Sequence, residues 1–260
     1  KTAVTHADSR QKIEALNAWA SGLISQSDFD EAETLLQQAQ QLAAQQNDLL
    51  NESISLVRLG IIAYYRGDNH AARDHYEASL KSARQLKNLP RQAASLINLV
   101  GVYHGLGDIS QATIFGEEAL SIVKMIGDRA KESVILNNLG AIYFSIGANE
   151  TAQEYHQQAL VLSQTLRDRL NESLSASNLS LVLCELNNYI TAKYFAEIAL
   201  DIDKEIGDRL GQGYSLTALA RAQRKLNEID EAIEANMEAI SIRHSIGQSG
   251  EAIENIVELN

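Results

Sequence analysis

Apolar and small positions along this chain follow two nested rhythms. Within one stretch, Leu136, Leu139, Gly140 and Tyr143 fall at i, i+3, i+4 and i+7, which is one face of an α-helix. After Gly147 a second helical stretch follows, predicted to turn Ala152, Tyr155, Ala159, Leu160 and Leu166 inward. The longer rhythm has a period of 40 residues. Ala32, Ala72, Ala112, Ala152, Ala192 and Ala232 form one column, and Ala39, Ser79, Ala119, Ala159, Ala199 and Ala239 another. Trp19, Leu59, Leu99, Leu139, Leu179, Leu219 and Leu259 form a third, predicted to fill the space across from the small ones. A helical pair of this size cannot bury its apolar face alone, so such a period means stacked supersecondary units.

Polar residues punctuate the same frame. Asp8, Asp48, Asn88, Asp128, Asp168 and Asp208 stand where a side-chain oxygen can cap a first helix, here called A, and Gln248 takes the next equivalent place. Gly67, Gly107, Gly147, Asn187, Asn227 and, more weakly, Ser27 stand where the A helix must end in left-handed backbone. A second helix, B, follows each turn. Pro90, the single proline, lies in a first turn, where its missing N–H costs nothing. The predicted units are 8–47, 48–87, 88–127, 128–167, 168–207 and 208–247, with a partial seventh A helix at 248–260. The expected fold is all-α: one array over 1–260, a superhelical solenoid of about six helix-turn-helix units plus a truncated terminal helix.

Composition narrows the function. The formal charge of −12 argues against nucleic acid, whose phosphates would be repelled. No apolar run approaches the ~20 residues of a membrane span. Cys184 is the only cysteine, so no internal disulfide forms, which fits a reducing, cytoplasmic setting.

Several residues carry a resemblance. Leu139-Gly140, Tyr143, Gly147, Ala152 and Ala159-Leu160, and likewise Leu59-Gly60, Gly67, Ala72, Tyr76 and Leu80, resemble the tetratricopeptide repeat. Gly127-Asp128-Arg129 and Gly207-Asp208-Arg209 are similar to the 40-residue subclass of bacterial signalling proteins, kinesin light chains and cell-polarity scaffolds. Ser180, Leu183 and Asn187 in the fifth unit and Gln223 in the sixth depart from the pattern. The resemblance implies that A helices line a concave groove and B helices the convex wall.

Catalysis finds no support. His6, His70, His75, His104, His156 and His244 show no metal-binding spacing, Cys184 has no CxxC partner, and no phosphate-cradling glycine motif occurs. No enzyme activity, metal or cofactor is expected.

A second stripe on the A helices is more informative. It reads Ile54, Arg58, Ile61, Tyr65; then Ala94, Asn98, Gly101, Gly105; then Val134, Asn138, Ala141, Ser145; then Leu174, Asn178, Leu181, Glu185; then Tyr214, Ala218, Arg221, Lys225. An ordinary surface helix carries Lys and Glu there. The acids sit on B helices instead, at Glu31, Glu33, Asp74, Glu77, Glu154, Glu197, Glu234 and Glu238. Charge depletion with exposed aromatics marks a partner surface; burial of the A helices by neighbours on both sides would deplete charge too.

Within the stripe, Asn98, Asn138 and Asn178 form a ladder. Adjacent A helices at ~9 Å and a peptide rising ~3.3 Å per residue would bring one carboxamide to a ligand backbone at about every third residue. In peptide-binding members of the resembled family this column holds such asparagines. The alternative is that they tie neighbouring helices together. The lysines of a chaperone-tail clamp are missing: the preceding column reads Val57, Ile97, Asn137, Ser177 and Thr217. Arg221, Arg224 and Lys225 make a basic cluster that either anchors an acidic ligand group or pairs with Glu228 and Asp230. The candidate ligand-binding residues are therefore Arg58, Tyr65, Asn98, Asn138, Asn178, Arg221, Arg224 and Lys225.

The expected role is a binding module for a protein or extended peptide, the sensor or regulatory part of a larger bacterial signalling protein with an attached output domain. The resemblance implies that context: such arrays accompany STAND-type ATPases, LuxR-like activators, histidine kinases and GGDEF-type cyclases. The alternative is a structural scaffold that self-associates without a dedicated ligand.

Overall fold

The computed structural model describes the backbone of residues 2–246 and the side chains of residues 9–246. Gln248, Leu259 and the partial seventh helix lie outside the described residues. Among those described the secondary structure is wholly helical. The chain divides into two compact units, one up to Gly127 and one from Asp128 on, and the boundary falls between the third and fourth repeats.

The first unit holds α1 (Thr2–Ser25), α2 (Phe29–Gln45), α3 (Leu49–Tyr65), α4 (Asn69–Gln85), α5 (Leu89–Gly105) and α6 (Ile109–Ile126). The second holds α7 (Arg129–Ser145), α8 (Asn149–Leu166), α9 (Arg169–Glu185), α10 (Tyr189–Ile206), α11 (Arg209–Lys225) and α12 (Ile229–Ser245). Odd-numbered helices are the A helices. Inside each unit every helix packs on the one before and the one after it, and successive A helices also touch.

The punctuation works as its chemistry requires. Asp48, Asn88, Asp128, Asp168 and Asp208 each accept a bond from the backbone N–H three residues on. All six expected turn residues have positive φ, from Asn187 at 60° to Gly67 at 78°. At Gly67 the next residue, Asp68, donates its N–H back to the Ala63 carbonyl at 2.9 Å, so orphan carbonyls of α3 are satisfied. The same left-handed step ends α2, α4, α6, α8 and α10, at Asn47, Lys87, Gly127, Arg167 and Gly207.

The alanine columns are buried throughout, and so are Leu59, Leu99, Leu139, Leu179 and Leu219. Ser79, the polar member of its column, is satisfied: its hydroxyl lies 2.8 Å from that of Ser53 and 2.9 Å from that of Ser95.

Three expectations are corrected. Trp19 is 58% exposed rather than core. Its column faces the preceding repeat, as Leu59 does in clustering with Ala20, Leu23, Ala32 and Leu36; among the described residues no helix pair precedes α1. Leu166 is 40% exposed, because it occupies the last turn of α8 opposite the start of α7, where helical cover ends. No helix begins at Asp8: the position lies inside α1, which runs unbroken from Thr2.

Candidate functional site

The stripe read from the sequence is accessible on most A helices. Its members are half-buried or exposed from Ile54 to Tyr65 on α3 and from Ala94 to Gly105 on α5; in the second unit the same holds on α7 and α9. Ala218 on α11 is the exception, fully buried because α9 and α11 pack directly against each other. The B-helix acids are exposed or, for Glu33, half-exposed. Acidic character thus gathers on the B-helix side, and the A-helix stripes of α5 and α7 carry no charge.

In the first unit, Arg58 is half-buried and donates from Nη1 to Asn17 Oδ1 at 3.3 Å. Burial, reinforced by the charge of Arg91, pulls its pKa down. It ties α3 to α1 through that bond. Tyr65 is 67% exposed at the end of α3, with one ring face stacked on Phe29 at 5.6 Å. Asn98 is half-buried on α5.

In the second unit, Asn138 on α7 and Asn178 on α9 are likewise half-buried and hold equivalent places on neighbouring A helices. Among the described residues nothing bonds the carboxamides of Asn98, Asn138 or Asn178. Asn137, one position earlier, behaves differently: it is buried and its Oδ1 lies 2.6 Å from His156 Nδ1. Asn17 likewise accepts from Ser55 and Arg58. The tying asparagines lie one column away from the ladder.

The basic cluster is partly neutralised. Arg221 Nη2 donates to Glu185 Oε1 at 2.8 Å, joining α11 to α9. Its partner is this stripe residue of the preceding A helix, not Glu228, which Lys193 takes at 2.6 Å. Arg224 and Lys225 are exposed at the end of α11.

The sequence reading missed a cavity of about 190 Å³ between the first turns of α9 and α11. Leu170, Leu174, Leu210 and Tyr214 form its rim, with Asp203 and Asp208 deeper in its lining. Asp203 is 1% exposed; Ser173 Oγ donates to its Oδ1, and Ser215 Oγ to its Oδ2 at 2.6 Å. Burial raises its pKa, the two serine bonds partly offset that, and the nearby charge of Asp208 adds to it. A signal existed in the sequence: Asp203 follows Ala43, Ala83, Val123 and Ser163 in a column of small or apolar residues.

Burial pushes the Cys184 thiol up to about 11, so little thiolate forms near neutral pH. Among the described residues no group of three or more His, Cys, Asp or Glu converges as metal ligands, and no helix is long and apolar enough to cross a membrane.

The fold and this face define an α-helical repeat protein built from short antiparallel pairs. The tetratricopeptide repeat profile matches residues 11–85, 51–125, 91–165, 131–205 and 170–245, and the chain belongs to the tetratricopeptide repeat family. Comparison with curated proteins yields no match. Among solved structures, the fold is similar to BtubC from P. vanneervenii, at 21% identity over 90% of this chain and 92% of that one, with a TM-score of 0.68. It is similar to a STAND protein with a tetratricopeptide repeat sensor from Pyrococcus horikoshii, at 16% identity over 94% of this chain and TM-score 0.74; this chain spans 38% of that one. NprR in complex with its cognate peptide NprX gives 16% identity, 94% and 70% coverage, and TM-score 0.72.

Proposed function

We propose that this chain is a recognition module that binds an extended segment of polypeptide along the A-helix stripes of its repeats, as the regulatory part of a larger cytoplasmic bacterial signalling protein. The observation that carries the reading is the asparagine ladder. In the second unit, Asn138 and Asn178 are half-buried, hold one repeat position on neighbouring A helices, and carry carboxamides that nothing in the described chain uses; Asn98 holds the same position in the first unit. A carboxamide offers two donors and an acceptor, which matches the alternating N–H and C=O of an extended backbone. The charge-free stripe of α7 suits a ligand bound through its main chain. Two similar folds lend context: NprR is solved with its cognate peptide, and the STAND protein carries its repeats as a sensor. The output partner would be an attached or associated domain.

The test begins with a peptide selected on the 260-residue chain from a random display library. Calorimetric titration then compares wild type with Asn138→Ala/Asn178→Ala. Each lost hydrogen bond is worth ~0.5–1.5 kcal/mol, so the pair should weaken binding by roughly five- to hundredfold. Glu154→Ala/Glu197→Ala, on exposed B-helix positions, should leave affinity unchanged. If the asparagine pair lowers the melting temperature but not the affinity, the ladder is structural and the reading fails. Self-association that the asparagine changes abolish would favour a scaffold instead.

A further inference from the structure

The repeats serve as one another's controls, and one of them leaves a charge unmatched. In three repeats with an aspartate cap on the A helix, the third helical residue satisfies the cap's second carboxylate oxygen. Asn51 Nδ2 donates to Asp48 Oδ2 at 2.8 Å, Asn171 Nδ2 donates to Asp168 Oδ2 at 2.7 Å, and Lys131 Nζ sits on Asp128 Oδ2. In the last repeat that position is Gly211. Its N–H still reaches Asp208 Oδ1 at 3.0 Å, but it has no side chain for Oδ2.

Gly211 lines the cavity described above, together with both aspartates. A Cβ added at Gly211 would lie 2.7 Å from Asp208 Oδ2 and 2.7 Å from Asp203 Oδ1. Two carboxylate oxygens thus crowd the space in front of the Gly211 Cα, where no Cβ fits, and both residues line the cavity beyond it. No Lys, Arg or His among the described residues forms a salt bridge with either carboxylate. The serine bonds to Asp203 bring dipoles but no cation, and a buried carboxylate with no counter-charge is costly. Above the acids stand Leu170, Leu174, Leu210 and Tyr214, all substantially exposed. An apolar rim over an anionic floor fits an aliphatic chain that ends in a cation. A volume of about 190 Å³ exceeds the ~30 Å³ share of a single water several times over, room for the five heavy atoms of a lysine side chain.

We infer that this cavity receives the side chain of a lysine from the bound polypeptide, its ammonium placed between Asp203 and Asp208 and its methylenes against the leucines and Tyr214. Lys131 on Asp128 shows the same pairing within a sister repeat. A lysine's compact ammonium, with three rotatable donors, fits the two carboxylates better than the planar fork of arginine. The inference rests on the peptide-binding reading and names one specificity pocket for it.

The test uses the full ¹⁵N-labelled chain and three probes: Nα-acetyl-lysine methylamide, its uncharged analogue Nα-acetyl-norleucine methylamide, and n-butylamine. The readout is the Gly211 amide in heteronuclear spectra. The lysine probe should shift it saturably. The norleucine probe should bind at least about tenfold more weakly, as expected for a lost charged hydrogen bond, and so should the lysine probe on Asp203→Asn. Circular dichroism and melting report whether the variant folds; if Asp203→Asn does not, the lysine-to-norleucine comparison on wild type decides. Equal binding of those two probes, or unchanged lysine binding by folded Asp203→Asn, overturns the inference. Butylamine binding as tightly as the lysine probe overturns the polypeptide source and leaves a small-amine site. A single-residue probe spans no asparagine ladder, so it reads this pocket separately from the ladder.

Discussion

The crossing of α7 and α8 offers a direct test of how the two helices of a repeat are matched. Gly140 lies against the ring of His156, and a Cβ there would come within 2.6 Å of Cε1, 2.7 Å of Nε2 and 2.8 Å of Nδ1. The ring has no room to retreat: it is 1% exposed and held through Nδ1 by Asn137. Gly140→Ala should therefore overpack at ~1–3 kcal/mol, offset by up to ~1 kcal/mol of helix propensity. The expected net loss is of order 1 kcal/mol. His156→Ala should cost about 2–4 kcal/mol through the cavity and the Asn137 oxygen left without a partner. In the double variant the new methyl enters vacated space, so it should be more stable than His156→Ala alone, with a favourable coupling of ~1–3 kcal/mol. The same two columns match small to large elsewhere. Gly60 lies under Tyr76, where an added Cβ would come within 2.5 Å of the ring, and the sequence pairs Val100 with Gly116 and Ala220 with Asn236. The assay is urea unfolding followed by far-UV circular dichroism, well above the pH at which histidine titrates. Additivity of the single changes within ~0.5 kcal/mol would refute the steric argument.

Two further outcomes follow from the same structure. Burial lowers the His156 pKa to about 4, from ~6.5 in an unfolded chain. The unfolded state takes the proton first, so the His156 contribution is complete above about pH 6.5 and is lost as pH falls toward 4, by up to about 3 kcal/mol. The stability difference between wild type and His156→Gln, measured across that window, should follow this slope, and a flat difference would contradict it. Arg167 ends α8 in left-handed backbone at φ 56°, where the sister positions Gly127 and Gly207 carry glycine. A left-handed non-glycine residue costs ~1–2 kcal/mol and the glycine's extra unfolded entropy returns ~0.4–1 kcal/mol. Arg167→Gly should thus stabilise by about 0.5–1 kcal/mol in the same assay, and a loss would show that the Arg167 side chain contributes more than its exposure suggests.

Short-range features were legible in the chain because they depend on residues a few positions apart. A cap needs an oxygen and an N–H three residues on, so Asp48 through Asp208 could be read directly. A left-handed turn needs a residue that tolerates it, so Gly67 and even Asn187 and Asn227 stood out. The buried alanine and leucine columns followed from helical period and repeat length together. The misplaced residues share one cause. Periodicity says which way a side chain points, but burial needs a neighbour on that side. Trp19 points where Leu59 points, yet no described repeat covers it; Leu166 points inward where the cover has ended.

Site chemistry depended even more on tertiary structure. Arg58 read as a ligand contact, and Arg221 as a ligand anchor or a partner of Glu228 and Asp230, but their partners, Asn17 and Glu185, lie 41 and 36 residues earlier on the preceding A helix. The asparagine column was visible, whereas only the fold separates the accessible Asn138 from the buried Asn137 beside it. Asp203 and Gly211 each break their columns in the sequence. Only folding brings the two breaks together, because α10 packs on α11 and sets the Asp203 carboxylate against Gly211. Local bonding and period are written into neighbouring residues; charge compensation and access are settled by distant ones, and the packing of helices decides which distant residues those are.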